Sequence, residues 1–195
     1  MPAERSRPVE LLMQEHRLIE AVLDALSEVA GELERDEPPP PTELESFVDW
    51  LRRYADAFHH GKEEDVLFTA MVACGMPGDA GPIAVMLEQH DEGRRLVTRL
   101  ADAASSAAWS ADTRRRAACT ATDFAALLHQ HIQIEDNVLY PMALATIPPA
   151  GWETIEREFD KLAASHAAER ATLEALAATL IARSQPTGFE PRSLT

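Results

Sequence analysis

Apolar residues recur at helical spacing in five long runs, separated by prolines, glycines or polar turns. Leu11, Leu12, Ile19, Val22, Leu23, Leu26 and Val29 line one side of a first segment that opens at Pro8 and continues to about Arg35. Steps of three and four positions return to the same face of an α-helix. The run Pro38-Pro39-Pro40-Pro41 breaks that segment, and Thr42 with Glu45 has the pattern of a capping box for the second. Gly75 and Pro77 stop the second segment near Cys74, and Gly81-Pro82 opens the third, carrying Ile83, Met86, Leu96, Val97 and Leu100. A fourth runs over about 113–145, up to Pro148, Pro149 and Gly151, and a fifth over about 152–183. No run alternates with period two among β-branched residues, which argues against a sheet. Helices of about 25 residues are roughly 37 Å long. The expected fold is therefore all-α: an antiparallel four-helix bundle over 1–147, an additional C-terminal fifth helix over 148–183 packed on it, and a flexible tail at 184–195.

Composition sets the outer limits. A chain of 195 residues with 46% hydrophobic content fills one core without disulfides. Against 33 Asp+Glu stand 18 Lys+Arg, a net charge of −15, so neither a nucleic-acid backbone nor an anionic membrane is the expected partner. Met1 to Glu10 has no apolar stretch of a secretory signal, and nowhere do some 18 apolar residues run unbroken, so the expected compartment is the cytoplasm. Cys74 and Cys119 form no C-x-x-C pattern and are expected to be small core residues.

The histidines carry more information. His16 falls in the first segment, His59 and His60 in the second, His90 in the third, His129 and His131 in the fourth, and His166 in the fifth. Two of them have a carboxylate four positions later: His59 with Glu63, and His131 with Glu135. Four residues turn a helix by roughly 400°, so both members of each pair leave from one face. On an exposed face such pairs are weak ion pairs. Here both acids sit in the same apolar frame: Glu63 is followed by Val66, Leu67 and Phe68, and Glu135 by Val138, Leu139 and Tyr140. Imidazoles and carboxylates inside a dry bundle are costly without partners, and metal ions satisfy both. Mixed nitrogen and oxygen donors suit iron, or less specifically manganese or zinc. The pair His60 and Glu64 has the same spacing and competes for the second-segment register.

Taken together, Glu15-His16-Arg17, HHGKEEDVLF (59–68), GPIAVMLEQHDE (81–92) and HIQIEDNVLYPMAL (131–144) resemble the hemerythrin-like, HHE cation-binding family. The last two strings look most like its bacterial di-iron members linked to iron–sulfur cluster repair. The resemblance implies a four-helix bundle holding two iron ions joined by an oxo or hydroxo bridge. By position, His16 and His59 would share one iron, His90 and His131 the other, and Glu63 and Glu135 would bridge them. His59-Glu63 is preferred over His60-Glu64 because Leu67 and Leu139 then follow both acids at +4. His60 is left as a neighbour, His129 as exposed, and His166 as outside the site. Oxygen-carrying members have a second histidine one turn beyond the third-helix ligand; Arg94 stands there, which implies a more open iron and puts reversible oxygen carriage in doubt. The repair proteins also have a short N-terminal domain with no counterpart here.

The expected function is binding of, or reaction with, O2, NO or peroxide, or iron handling under stress, served by an electron donor or client protein. Two alternatives stand beside it. One is an oxygen, redox or iron sensor acting through a partner; the other is a metal-free interaction bundle. Phe58, Phe68, Phe124 and Tyr140 are expected in the core or around the site. Leu162, Leu173, Leu176 and Leu180 of the fifth segment cover the bundle in a monomer or a second subunit in a homodimer. Spacings that would indicate a Glu-x-x-His carboxylate site or an H-E-x-x-H zinc site are absent.

Overall fold

A computed structural model describes residues 6–35, 39–106 and 109–183, and all of the regular structure in it is helical. We number six helices: α1 (Arg7–Glu34), α2 (41–73), α3 (Gly81–Ala104), α4 (111–146), α5 (Pro149–Ser165) and α6 (Ala167–Arg183). The tail expected at 184–195 lies outside the described residues.

The breakers act where the sequence puts them, with one correction. Thr42 does not cap α2. Pro40 is extended (φ −53°, ψ 138°) and Pro41 takes the first helical turn, where a missing N–H costs nothing, so Thr42 is already inside the helix. Gly75 (φ 97°) and Gly81 (φ 68°) both adopt the left-handed backbone that bounds the α2–α3 turn. At α4, the Ser110 hydroxyl accepts from the Thr113 amide at 3.2 Å.

Helices α2 and α4 are not regular throughout. In α2 the hydrogen bonds widen to the π pattern over Leu51–His60 and again over Glu63–Phe68; in α4 they do so over Glu135–Leu139. The α4 case has a cause in the sequence. Pro141 follows at once, inside the helix, and cannot donate to the carbonyl four residues back.

Around the bundle α1 packs on α2 and α4, and α3 packs on α2 and α4, so α1/α3 and α2/α4 are the diagonals. The interior is layered. One apolar cluster includes Ile19, Leu23, Leu26, Phe47, Trp50, Leu100, Ala121 and Leu128; the other includes Val9, Leu12, Leu67, Met71, Met86, Leu139 and Ala143. On each of the four helices a buried polar position falls between the two: His16, His59 with Glu63, His90, and His131 with Glu135. Hydrocarbon therefore seals a polar layer from both ends.

The fifth helix of the sequence reading is two helices that meet at His166 (φ −110°, ψ 10°), whose ring nitrogen and the Ser165 hydroxyl both turn to the Leu162 carbonyl. The break divides the labour. Ile155 and Phe159 of α5 cover one apolar cluster, while Leu173, Ala177 and Leu180 of α6 cover the other. The Trp50 indole N–H donates to the Leu173 carbonyl at 2.9 Å and fixes α6 to α2. Leu176 packs at the edge of the same contact.

Cys74 and Cys119 are exposed rather than in the core. Cys74 follows the last residue of α2 and opens the turn, and on α4 the inner positions are taken by Ala117, Ala118 and Ala121, which leaves Cys119 outside. No described helix is long and apolar enough to cross a membrane.

Candidate metal centre

All six residues expected to hold metal converge in the polar layer. His16, His59, Glu63, His90, His131 and Glu135 are each at most 1% exposed. Their ligand atoms form two groups, with every atom of a group within 4.8 Å of the others: His16, His59, Glu63 and Glu135 in one, and His60, Glu63, His90 and His131 in the other. Glu63 belongs to both. Its Oε2 stands 3.7 Å from His59 Nε2 and 3.7 Å from His90 Nε2. Glu135 spans the layer in the same manner, with Oε2 at 3.2 Å from both His16 Nε2 and His131 Nε2.

His60 differs from expectation. Rather than standing beside the layer it is inside it, its ring stacked on His90 with centroids 3.7 Å apart. His59 and His60 both face inward where α2 has the wider π hydrogen-bond pattern. Arg94 of α3 is paired with Asp56, Glu64 and Asp91 outside the layer, and His60 supplies a third imidazole to the His90 side. The side with fewer imidazoles is that of His16 and His59.

Residues outside the layer orient the rings, and they form a closed circuit. Glu15 on α1 accepts from His59 Nδ1 on α2 at 2.9 Å; Glu64 on α2 accepts from His90 Nδ1 on α3 at 2.7 Å. Gln89 on α3 accepts from His131 Nδ1 on α4 at 2.9 Å; Asp136 on α4 accepts from His16 Nδ1 on α1 at 2.7 Å. Each helix thus holds the imidazole of the next. An acceptor at Nδ1 keeps the proton there and leaves Nε2 with its lone pair toward the centre. The sequence reading missed these four. The available signal was adjacency: each stands next in sequence to an inner residue, as in Glu15-His16, Glu63-Glu64, Gln89-His90 and Glu135-Asp136.

Charge separates inner from outer acids. Glu15 is paired with Lys62, Glu64 with Arg94 at 2.5 Å, and Asp136 with Arg17. Glu63 and Glu135 have no Lys or Arg of their own among the described ion pairs, although both are 0% exposed. His59 Nε2, Glu63 Oε2 and both Glu135 oxygens are buried with no hydrogen-bond partner. Bare lone pairs face carboxylate oxygens across the layer, an arrangement that cations between them would satisfy.

Titration among the side chains tells the same story. Burial works against a charged His16, yet its bond to Asp136 and the carboxylate of nearby Glu135 push it up to about 9. Burial pushes His59 down to about 4. Burial and the facing Glu135 raise Glu63 well above the carboxylate range. Glu135 resists its own burial because His131 and His16 hold it well below that range. The Tyr140 hydroxyl lies in the layer as well, donating to Glu63 Oε1 at 2.5 Å and standing 3.2 Å from His16 Nε2. Phe68 is stacked beside His90 at 6.0 Å.

The remaining histidines stay out of the layer. His129 is half-buried on the outside of α4, 3.3 Å from Asp24, and His166 is exposed at the α5–α6 break against Phe58. The donor set fits two transition-metal ions: imidazole nitrogens on each side, and carboxylates that reach both.

Comparison with known proteins agrees with the chemistry. A family model described as the hemerythrin HHE cation binding domain matches residues 7–143. An uncharacterized protein of Mycobacterium tuberculosis is 28% identical over 131 residues, 67% of this chain and 51% of that protein. The iron–sulfur cluster repair protein YtfE of Escherichia coli is 33% identical over 119 residues, 56% of this chain and 51% of YtfE. The chain spans about half the length of these relatives.

Proposed function

The chain belongs to the hemerythrin HHE cation-binding family, and from that premise we propose a non-haem di-iron protein that binds or reacts with O2, NO or peroxide under oxidative or nitrosative stress. The observation that carries the proposal is the pair of overlapping ligand groups that share Glu63, with buried oxygens and a nitrogen that nothing in the chain satisfies. His16 and His59 would hold one iron, and His60, His90 and His131 the other. Glu63 and Glu135 would bridge. Two irons so held would supply redox-active Lewis-acid chemistry toward a small molecule.

The chain's own residues do the rest. The circuit Glu15, Glu64, Gln89 and Asp136 fixes ring orientation and tautomer. The two apolar clusters keep bulk water from the layer. Tyr140 keeps a proton at Glu63 Oε1, within reach of a group bound on the His16 side. The stress setting is drawn from the relationship to YtfE, whose name records iron–sulfur cluster repair. A reducing cytoplasm suits two exposed free thiols. A metal-free interaction bundle is disfavoured by the same unsatisfied atoms.

Stopped-flow mixing of the reduced, iron-loaded protein with O2, NO or peroxide tests the proposal. A spectral change that saturates with the added molecule is expected. Iron-loaded protein inert to all three, and retaining its iron, would refute it.

A further inference from the structure

A second feature of the fold bears on what reaches the centre. Between α2 and α3 lies a cavity of about 300 Å³, and its inner end is formed by His60 and His90. Both belong to the three-imidazole group, at 5% and 1% exposure. The His60 Nδ1 is buried without a hydrogen-bond partner. The walls are apolar: Leu51 and Ala55 from α2, Val97 from α3 and Phe124 from α4. Gly93 also lines it; a Cβ there would meet only the edge of Phe124 at 3.6 Å. By contrast, the larger groove of about 700 Å³ between α2 and α5 is lined by none of the centre's imidazoles or carboxylates.

The mouth of the cavity carries charge, but in a form that does not favour anions. Arg94 crosses it and is engaged by Asp56 at 2.9 Å, by Glu64 at 2.5 Å and by Asp91 at 2.9 Å. With three carboxylates on one guanidinium, no positive charge is left over there. Arg52 stands at the outer rim, exposed to water that screens it. The chain as a whole carries −15, which repels anions at distance. An apolar passage behind an acidic mouth admits small uncharged molecules and resists anions.

We propose that this α2–α3 cavity is the channel by which an uncharged diatomic molecule such as NO or O2 reaches the His60–His90 side of the centre. This rests on the di-iron reading above and narrows its substrate to the neutral gases, against nitrite or other small anions.

Two measurements decide it. In the first, NO association with the reduced, iron-loaded protein is timed for wild type, Gly93→Ala, Val97→Phe and Ala70→Phe. The last variant narrows the α2–α5 groove instead. Val97→Phe is expected to slow association at least tenfold with unchanged iron content, Gly93→Ala to fall between it and wild type, and Ala70→Phe to stay within twofold. Gly93→Ala keeps the test usable if the larger side chain prevents folding, since its methyl fits without displacing Phe124. Unchanged rates in both Gly93→Ala and Val97→Phe overturn the proposal, as does slowing by Ala70→Phe alone.

In the second, crystals of the protein, with or without iron, are exposed to xenon or soaked in iodide. Xenon in the cavity beside His60, and no iodide there, is expected. Iodide without xenon, or xenon confined to the α2–α5 groove, overturns it. This arm needs no reactivity, so an iron-loaded protein inert to NO would sink the di-iron function while xenon still decides the channel.

Discussion

Replacing Glu63 by Gln should stabilise the metal-free protein while weakening the metal-loaded one. In the folded chain Glu63 and Glu135 face each other at 0% exposure. Burial and the charge of Glu135 keep Glu63 protonated far above the range where an exposed carboxyl ionises. Folding without metal therefore carries the cost of putting a proton on that group. An amide has the shape of the protonated acid and no such cost. Its oxygen still accepts from Tyr140, and its NH2 donates toward Glu135. Removing that protonation cost while a neutral donor still faces the charged Glu135 is worth about 1.5–3 kcal/mol. For a domain of this size each kcal/mol moves Tm by about 2–4 °C, so a rise of roughly 3–12 °C is expected. The sign with pH follows from the raised value. Wild type loses stability relative to the variant as pH climbs through the ordinary carboxylate range, so the gap widens from about pH 4 to pH 7. With iron present the order reverses, because the variant lacks an anionic ligand and binding stabilises only the form that binds. The assay is thermal unfolding by circular dichroism, with chelator and with iron, at several pH values. A Glu63→Gln variant less stable than wild type in chelator, with no pH dependence to the difference, refutes the reasoning.

Removing the acceptor for His16 by Asp136→Ala should weaken iron binding about 10–100-fold with helicity intact, measured by competition with a coloured chelator; unchanged affinity contradicts an orienting role. Tyr140→Phe deletes the 2.5 Å donor to Glu63 and leaves a buried acceptor unmet, which should cost the metal-free protein about 1–3 kcal/mol, read as a lowered Tm; no change means the hydroxyl is not held there. Trp50→Phe removes the buried bond to the Leu173 carbonyl together with packing volume. Its cost of about 1–3 kcal/mol should appear in hydrogen exchange as lost protection in α6 rather than α1; uniform loss contradicts a local tie.

What could be read from the chain, and what could not, divides along the range of the forces involved. Segment boundaries are local: Pro8, Pro41, Gly75, Gly81 and Pro149 act through their own φ and missing N–H groups, and the helices begin and end within a few residues of them. The polar layer was also legible. Glu63 and Glu135 are charged positions at helical spacing inside apolar frames, and Glu63 rather than Glu64 is the acid that faces both ligand groups. The outer circuit was not legible, because Glu15 bonds a histidine of the next helix, not its own neighbour His16. Its partner is set by how α1 lies against α2. His60 was placed beside the layer because its partners His90 and His131 lie on other helices, which the spacing within one helix does not record. Cys74 and Cys119 were misread by residue type, when neighbouring alanines and a helix end decide their exposure. At the His166 break two side chains gather on the Leu162 carbonyl, which periodicity does not register.

The most direct test of the centre is metal analysis of protein expressed with added iron, for wild type, Glu63→Gln and Glu64→Gln. The account predicts about two irons per chain in wild type and in Glu64→Gln, and at most half that in Glu63→Gln. Wild type without iron, or iron kept by Glu63→Gln and lost from Glu64→Gln, would contradict it.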